Sequence, residues 1–78
     1  MEVREEIFEL LKTDYALVKK IAAALDIKEQ SVERWAYRKQ HRTVGLYSVV
    51  VIIKAHTGFT DEQIFESETI AHQSVSNN

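Results

Sequence analysis

Between Arg34 and Arg42 the chain carries four bases, Arg34, Arg38, Lys39 and Arg42, with His41 among them and no acid. Cationic groups set this closely can form a footprint for a polyanion. Composition alone favours the plainer alternative, a solvated helix face. No rival chemistry stands out elsewhere. The chain has no cysteine, hence no disulfide, no thiol nucleophile and no cysteine-bound zinc. His41, His56 and His72 are too widely spaced for a local metal site. No glycine-rich phosphate loop and no nucleophile, base and orienter set can be picked out. The sequence therefore predicts a non-enzyme without metal or cofactor.

Net charge is −2 over 78 residues, which argues against general avidity for nucleic acid. Its distribution is uneven. Residues 1–27 carry Arg4, Lys12, Lys19 and Lys20 against Glu2, Glu5, Glu6, Glu9, Asp14 and Asp26. Residues 28–42 carry Lys28 and the four bases above against Glu29 and Glu33. Residues 43–78 carry Lys54 against Asp61, Glu62, Glu66 and Glu68. One basic segment thus sits between acidic flanks.

The elements that must present this segment are helical. There is no proline and only two glycines, Gly45 and Gly58, so few breakers are available for hairpins. Val3, Ile7, Leu10 and Leu11 form the stripe of a first helix. Thr13 or Asp14 can cap a second, with Leu17, Ile21, Ala24 and Leu25 as its stripe. Asp26 stands at its end, where left-handed geometry is tolerated by Asp better than by most residues. A third helix runs from about Lys28 to Tyr37, with Val32, Trp35 and Ala36 inward. Lys39 to Thr43 reads as a polar connection, and Thr43 as the cap of a fourth helix reaching Lys54 or His56. The stretch Ser48–Ile53 has β propensity, yet Leu46, Val49, Val50 and Ile53 repeat with helical spacing and no partner strand is evident. Gly58 suits the position after a helix end. Thr60 with Gln63 makes a capping box, and Phe59 with Ile64 a hydrophobic staple, for a last helix to about Ser67. Residues 67–78 read as a polar, flexible tail, leaving residues 1–66 as one domain. No signal peptide or membrane span is recognised, and a cytoplasmic protein is the default.

The segment Val18–Trp35 brings two short helices together across the tight turn Asp26-Ile27-Lys28. Ala22 gives a small residue at the crossing, Ile27 an apolar residue in the turn, and Val32 and Trp35 anchors on the second helix. A helix-turn-helix requires this set. With Ile21 and Leu25 in the remaining apolar positions, the segment resembles the lambda-repressor-like, Xre-type helix-turn-helix family of phage and bacterial regulators. The motif spans residues 18–37, and a weaker likeness continues to about Glu66. The resemblance implies an all-α, compact bundle of four or five helices that binds double-stranded DNA.

It also implies roles for individual residues. Lys28, Glu29, Gln30, Ser31 and Arg34 fall where that family reads base edges in the major groove. Gln30 can bond adenine N6 and N7, and Arg34 guanine O6 and N7. Ser31 can serve a phosphate or a base. Glu29 can accept from a cytosine amino group, or simply favour the positive end of its helix. Arg38, Lys39, His41 and Arg42 fall where the family touches phosphates, and Lys19 and Lys20 can reach flanking ones. Three positions depart from the family pattern. Val18 stands where a phosphate-binding glutamine is common, Asp26 replaces the turn glycine, and Lys28 replaces a Ser or Thr cap.

The resulting expectation is a small transcriptional regulator, in the first place a repressor of phage or plasmid type. The alternative is a protein-interaction module, antitoxin-like or anti-repressor, that keeps the scaffold without binding DNA. A homodimer can form through Val49–Ile53, which is apolar all round if helical, or through the C-terminal helix. Burial of that run within the bundle accounts for it equally well. No small-molecule effector is evident.

Overall fold

Local capping chemistry sets several of the helix boundaries. The computed structural model describes residues 2–66. Among them six helices form: α1 (Glu5–Thr13), α2 (Tyr15–Leu25), α3 (Glu29–Tyr37), α4 (His41–Val44), α5 (Tyr47–Thr57) and α6 (Asp61–Ile64). Asp14 ends one helix and starts the next. Its backbone N–H donates to Leu10 O at 2.7 Å, and its Oδ1 accepts from Leu17 N–H at 3.1 Å. That carboxylate satisfies a first-turn amide that α2 itself cannot pair.

The ends of α2 and α3 are closed in the same way. Asp26 is left-handed (φ 57°), Asp26 N–H donates to Ala23 O at 3.3 Å and Ile27 N–H to Ala22 O at 3.0 Å. Lys39 is also left-handed (φ 50°), with Lys39 N–H to Ala36 O at 3.2 Å and Gln40 N–H to Trp35 O at 3.0 Å. Both are Schellman closures, a motif in which glycine is the usual left-handed residue. Gly58 (φ 79°) fills that role after α5. At α6 the backbone N–H of Thr60 donates to Gln63 Oε1 at 2.8 Å, the arm of the capping box that the side chain of Gln63 supplies.

The core is continuous and wholly apolar among the described residues. Ile7, Phe8, Leu11, Leu17, Ile21, Val32, Ala36, Val44, Val49, Ile53 and Ile64 are fully buried, and no polar or charged side chain is buried with them. Each large member removed from water contributes roughly 1.5–3 kcal/mol before the entropy of ordering is set against it. Helix α3 packs on α1 and α2, while α5 packs on α2 and α4. Leu10, Leu25, Trp35, Ile52, Phe59 and Phe65 close the rim.

Several local expectations change. Val3 is buried but lies outside α1, in an isolated antiparallel bridge with Phe65. Arg4 N–H donates to Ile64 O and Glu66 N–H to Glu2 O, both at 2.8 Å, so residues 2–4 and 64–66 clasp one another. Phe8 joins Ile7 and Leu11 as a buried anchor of α1, while Leu10 is only partly covered. The connection after α3 is partly helical: His41–Val44 form α4, and Thr43 lies inside it rather than capping α5. The Thr43 hydroxyl instead donates to Gln40 Oε1 at 3.3 Å. The cap of α5 is Leu46, exposed and without a side-chain bond. The break falls at Gly45, where only glycine fits closely, since a Cβ there would stand 2.9 Å from His41 O and 3.3 Å from the Phe65 ring. Ala24 and Ile27 face solvent more than their stripe suggests, whereas Val18 is buried. Helix α6 stops at Ile64 because Phe65 turns extended to pair with Val3. The tail expected over 67–78 lies outside the described residues. No helix among the described residues is long and apolar enough to cross a membrane.

Candidate nucleic-acid interface

Helix α3 has two unlike sides. Val32 and Ala36 are buried against the core. Gln30, Arg34, Tyr37 and Arg38 are all exposed. At 100° per residue these four, spaced i, i+4, i+7 and i+8, fall on a single stripe facing away from Val32 and Ala36. Lys28 precedes the stripe, while Lys39 and Arg42 continue it beyond the helix, and all three are exposed. Ser31 is half-buried beside Gln30, its N–H donating to Lys28 O at 3.0 Å to start the helix. Lys28 sits at the cap position with no side-chain bond, as its ammonium can only donate.

Two acids near this surface, Glu29 and Glu5, have side-chain partners, while Glu33 on α3 has no hydrogen bond or ion pair among the described residues. The Tyr15 hydroxyl donates to Glu29 Oε1, linking the first turn of α2 to the first turn of α3. Glu29 accepts this bond, and its negative charge, with a smaller contribution from Glu33, pushes the Tyr15 phenol above its ordinary range. Lys19 lies over the Tyr15 ring, its Nζ 5.5 Å from the centroid, and Lys20 beside it is exposed. Glu5 on α1 pairs with Lys39 at 3.1 Å. Both side chains are more than half exposed, so this ion pair is screened and easily exchanged for another anion. On the far side Lys12 stands 4.9 Å over the Tyr37 ring and pairs with Glu9 at 3.3 Å.

His41 is the one expected phosphate contact that the fold turns inward. Its Nδ1 accepts from Val3 N–H at 3.0 Å, and its ring meets Phe8 edge-on at 5.0 Å between centroids. An imidazole spent on a backbone amide and a core aromatic is a packing element. His56 is likewise structural: its Nε2 meets Asp14 Oδ2 at 3.0 Å, an ion pair whenever the ring is protonated. The backbone N–H of Leu17 first, and the imidazole of His56 after it, hold the Asp14 carboxyl below the usual carboxylate range. No group of three or more potential metal ligands occurs among the described residues.

Sequence patterning missed two features of this surface. Tyr15 was not distinguishable from any first-turn residue, because its partner lies 14 positions away. Tyr37 carried no signal of its own, yet it is exposed at the margin of the stripe, where Lys12 of α1 covers its ring. Comparisons with family models, with curated proteins and with solved structures gave no match.

Proposed function

We propose that the chain is a small transcriptional regulator that binds double-stranded DNA by sequence. In this reading α2 and α3 form a helix-turn-helix and α3 enters the major groove. Gln30 and Arg34 reach base edges, with Ser31 and Lys28 at the entrance of the helix. Arg38, Lys39 and Arg42 neutralise phosphates beyond it, and Lys19 and Lys20 serve the flanking strand. Repression is steric, by occupation of promoter DNA. The observation that carries the reading is the exposed stripe Gln30, Arg34, Tyr37 and Arg38, opposite the buried side of α3 and followed in the chain by the exposed Lys39 and Arg42. A groove-reading helix needs amide and guanidinium groups on the side turned from the core, with cations flanking them.

A homodimer through α5 supports reading of two half-sites. The helix is apolar around most of its circumference, and Tyr47, Leu46 and Val51 remain 83%, 55% and 43% exposed. Such side chains in one region are suited to a partner surface.

The test is duplex binding at several salt concentrations, with selected and random DNA pools. Log affinity should fall steeply with log salt. The triple variant Arg38→Ala, Lys39→Ala and Arg42→Ala should lower the slope by about two or three. Counting protein copies on the selected duplex addresses the dimer, and one copy per site rejects it. Absence of binding even at low salt rejects DNA recognition and leaves a protein-docking scaffold.

A further inference from the structure

We infer that Tyr15 is a positioning residue that aims the Glu29 carboxylate at a cytosine amino group, making Glu29 a specificity determinant. This rests on the DNA-binding reading above and names a base within it.

A lone carboxylate on a phosphate-facing surface ordinarily weakens binding. Glu29 is not lone. Its Oε1 accepts from the Tyr15 hydroxyl, while its Oε2 has no hydrogen bond or ion pair among the described residues. One oxygen is thereby anchored and the other left open as an acceptor. The donor is exposed, but its backbone is fixed at the start of a helix. Tyr15 is the first residue of α2, immediately after the Asp14 cap, and the Lys19 ammonium covers its ring from one turn on. A tyrosine phenol is protonated at neutral pH in any case, and Glu29 pushes its ionisation further upward.

The surroundings combine groups for a base edge with cations for the adjoining backbone. Lys19, Lys28, Glu29 and Gln30 line one shallow notch between α2 and α3, with Ala23 and Ile27 among its apolar walls. Two lysines share the notch with Glu29, with Glu33 the other acid near Tyr15, and the small, apolar wall allows close approach. A carboxylate oxygen accepts from the N4 amino group of cytosine, the one base-edge donor it can match on a G·C pair in the major groove. Gln30 beside it offers an amide for the neighbouring pair. The alternative role, a charge at the positive end of α3, needs neither the tyrosine nor an open oxygen.

The experiment is selection from a random duplex pool by the full chain, by Tyr15→Phe and by Glu29→Gln, with thermal melts of each. The full chain should enrich a site with cytosine at one fixed position. Glu29→Gln should abolish that preference, about tenfold or more, and favour adenine there, since glutamine pairs adenine N6 and N7. Tyr15→Phe should melt close to the parent and relax the same position several-fold, leaving the other positions unchanged. A specific site whose preferences neither variant alters overturns the inference while DNA recognition stands. So does a uniform loss of affinity in Tyr15→Phe, or a shift in Glu29→Gln that Tyr15→Phe does not share. Failure of the full chain to enrich any sequence removes the DNA reading itself, and this inference with it.

Discussion

Replacing Lys39 with glycine should make the protein more stable and a poorer DNA binder. Lys39 holds a left-handed backbone, φ 50°, to close the end of α3. That conformation costs an ordinary L-residue roughly 1–2 kcal/mol, which glycine avoids. Glycine gives back about 0.5–1 kcal/mol through the greater freedom of its unfolded chain. The exposed pair with Glu5 is worth at most about 1 kcal/mol and more often less. Lys39→Gly should therefore gain about 0.5–1 kcal/mol, once a Glu5→Gln control has accounted for the lost pair. In a domain of this size that raises Tm by roughly 2–8 °C. Binding moves the other way. If Lys39 neutralises one phosphate, the slope of log affinity against log salt should fall by about one. Denaturant unfolding and salt titration on the same preparation read both quantities. A lower Tm beyond the Glu5→Gln control refutes the backbone accounting. An unchanged salt slope refutes the assignment of Lys39 to a phosphate.

The two glycines should respond differently to alanine. Gly45→Ala puts a Cβ 2.9 Å from His41 O and against the Phe65 ring, so overpacking should cost on the order of 1–3 kcal/mol in denaturant unfolding. Gly58→Ala meets nothing within 4 Å, and only its φ of 79° is unfavourable, so the loss should stay near ~1 kcal/mol. Asp14 should govern acid sensitivity. Its carboxyl is held low in the folded chain, so its stabilisation is present at neutral pH and is lost as pH falls through that lowered value. Across that window the unfolded chain binds more protons, and stability rises with pH. Asp14→Asn should flatten the profile below about pH 4, as read by thermal melts across acid buffers; an unchanged acid limb refutes the assignment.

Features carried by neighbours in sequence are legible in the residues themselves. The Asp14 cap, the left-handed Asp26, Gly58 and the Thr60–Gln63 box each depend on bonds spanning a few residues. Composition also reveals the basic segment, and helical spacing places Gln30 and Arg34 away from Val32. What stays hidden depends on distant partners. Val3 looks like the first residue of a helical stripe, yet its burial is decided by Phe65 and its amide by His41. His41 sits among bases and reads as one of them, until Phe8 and Val3 draw its ring inward. Gly45 signals only a weakened helix, because part of the crowding a Cβ there would meet comes from Phe65 and Val3 in the clasped ends, beside the local His41 O. The short α4 lies in a polar run whose hydrophobic signal is a single residue, Val44, too little for periodicity to register.

The clasp between residues 2–4 and 64–66 makes the fold close on itself like a buckled belt. Helix pairs such as α1–α2 and α2–α3 assemble from segments near in sequence, whereas Val3 and Phe65 meet across a loop of about sixty residues. Loop-closure entropy of that size is offset only after the intervening helices have packed, so the buckle belongs to the late stages of folding. The same geometry makes it an early point of release. Slipping it exposes Val3 and removes the Val3 N–H bond to His41, while the His41 ring keeps its edge-on contact with Phe8 and the α2–α3 turn keeps its own Schellman closure. Stability is thus graded along the molecule, with the surface around α3 seated in the part that lets go last.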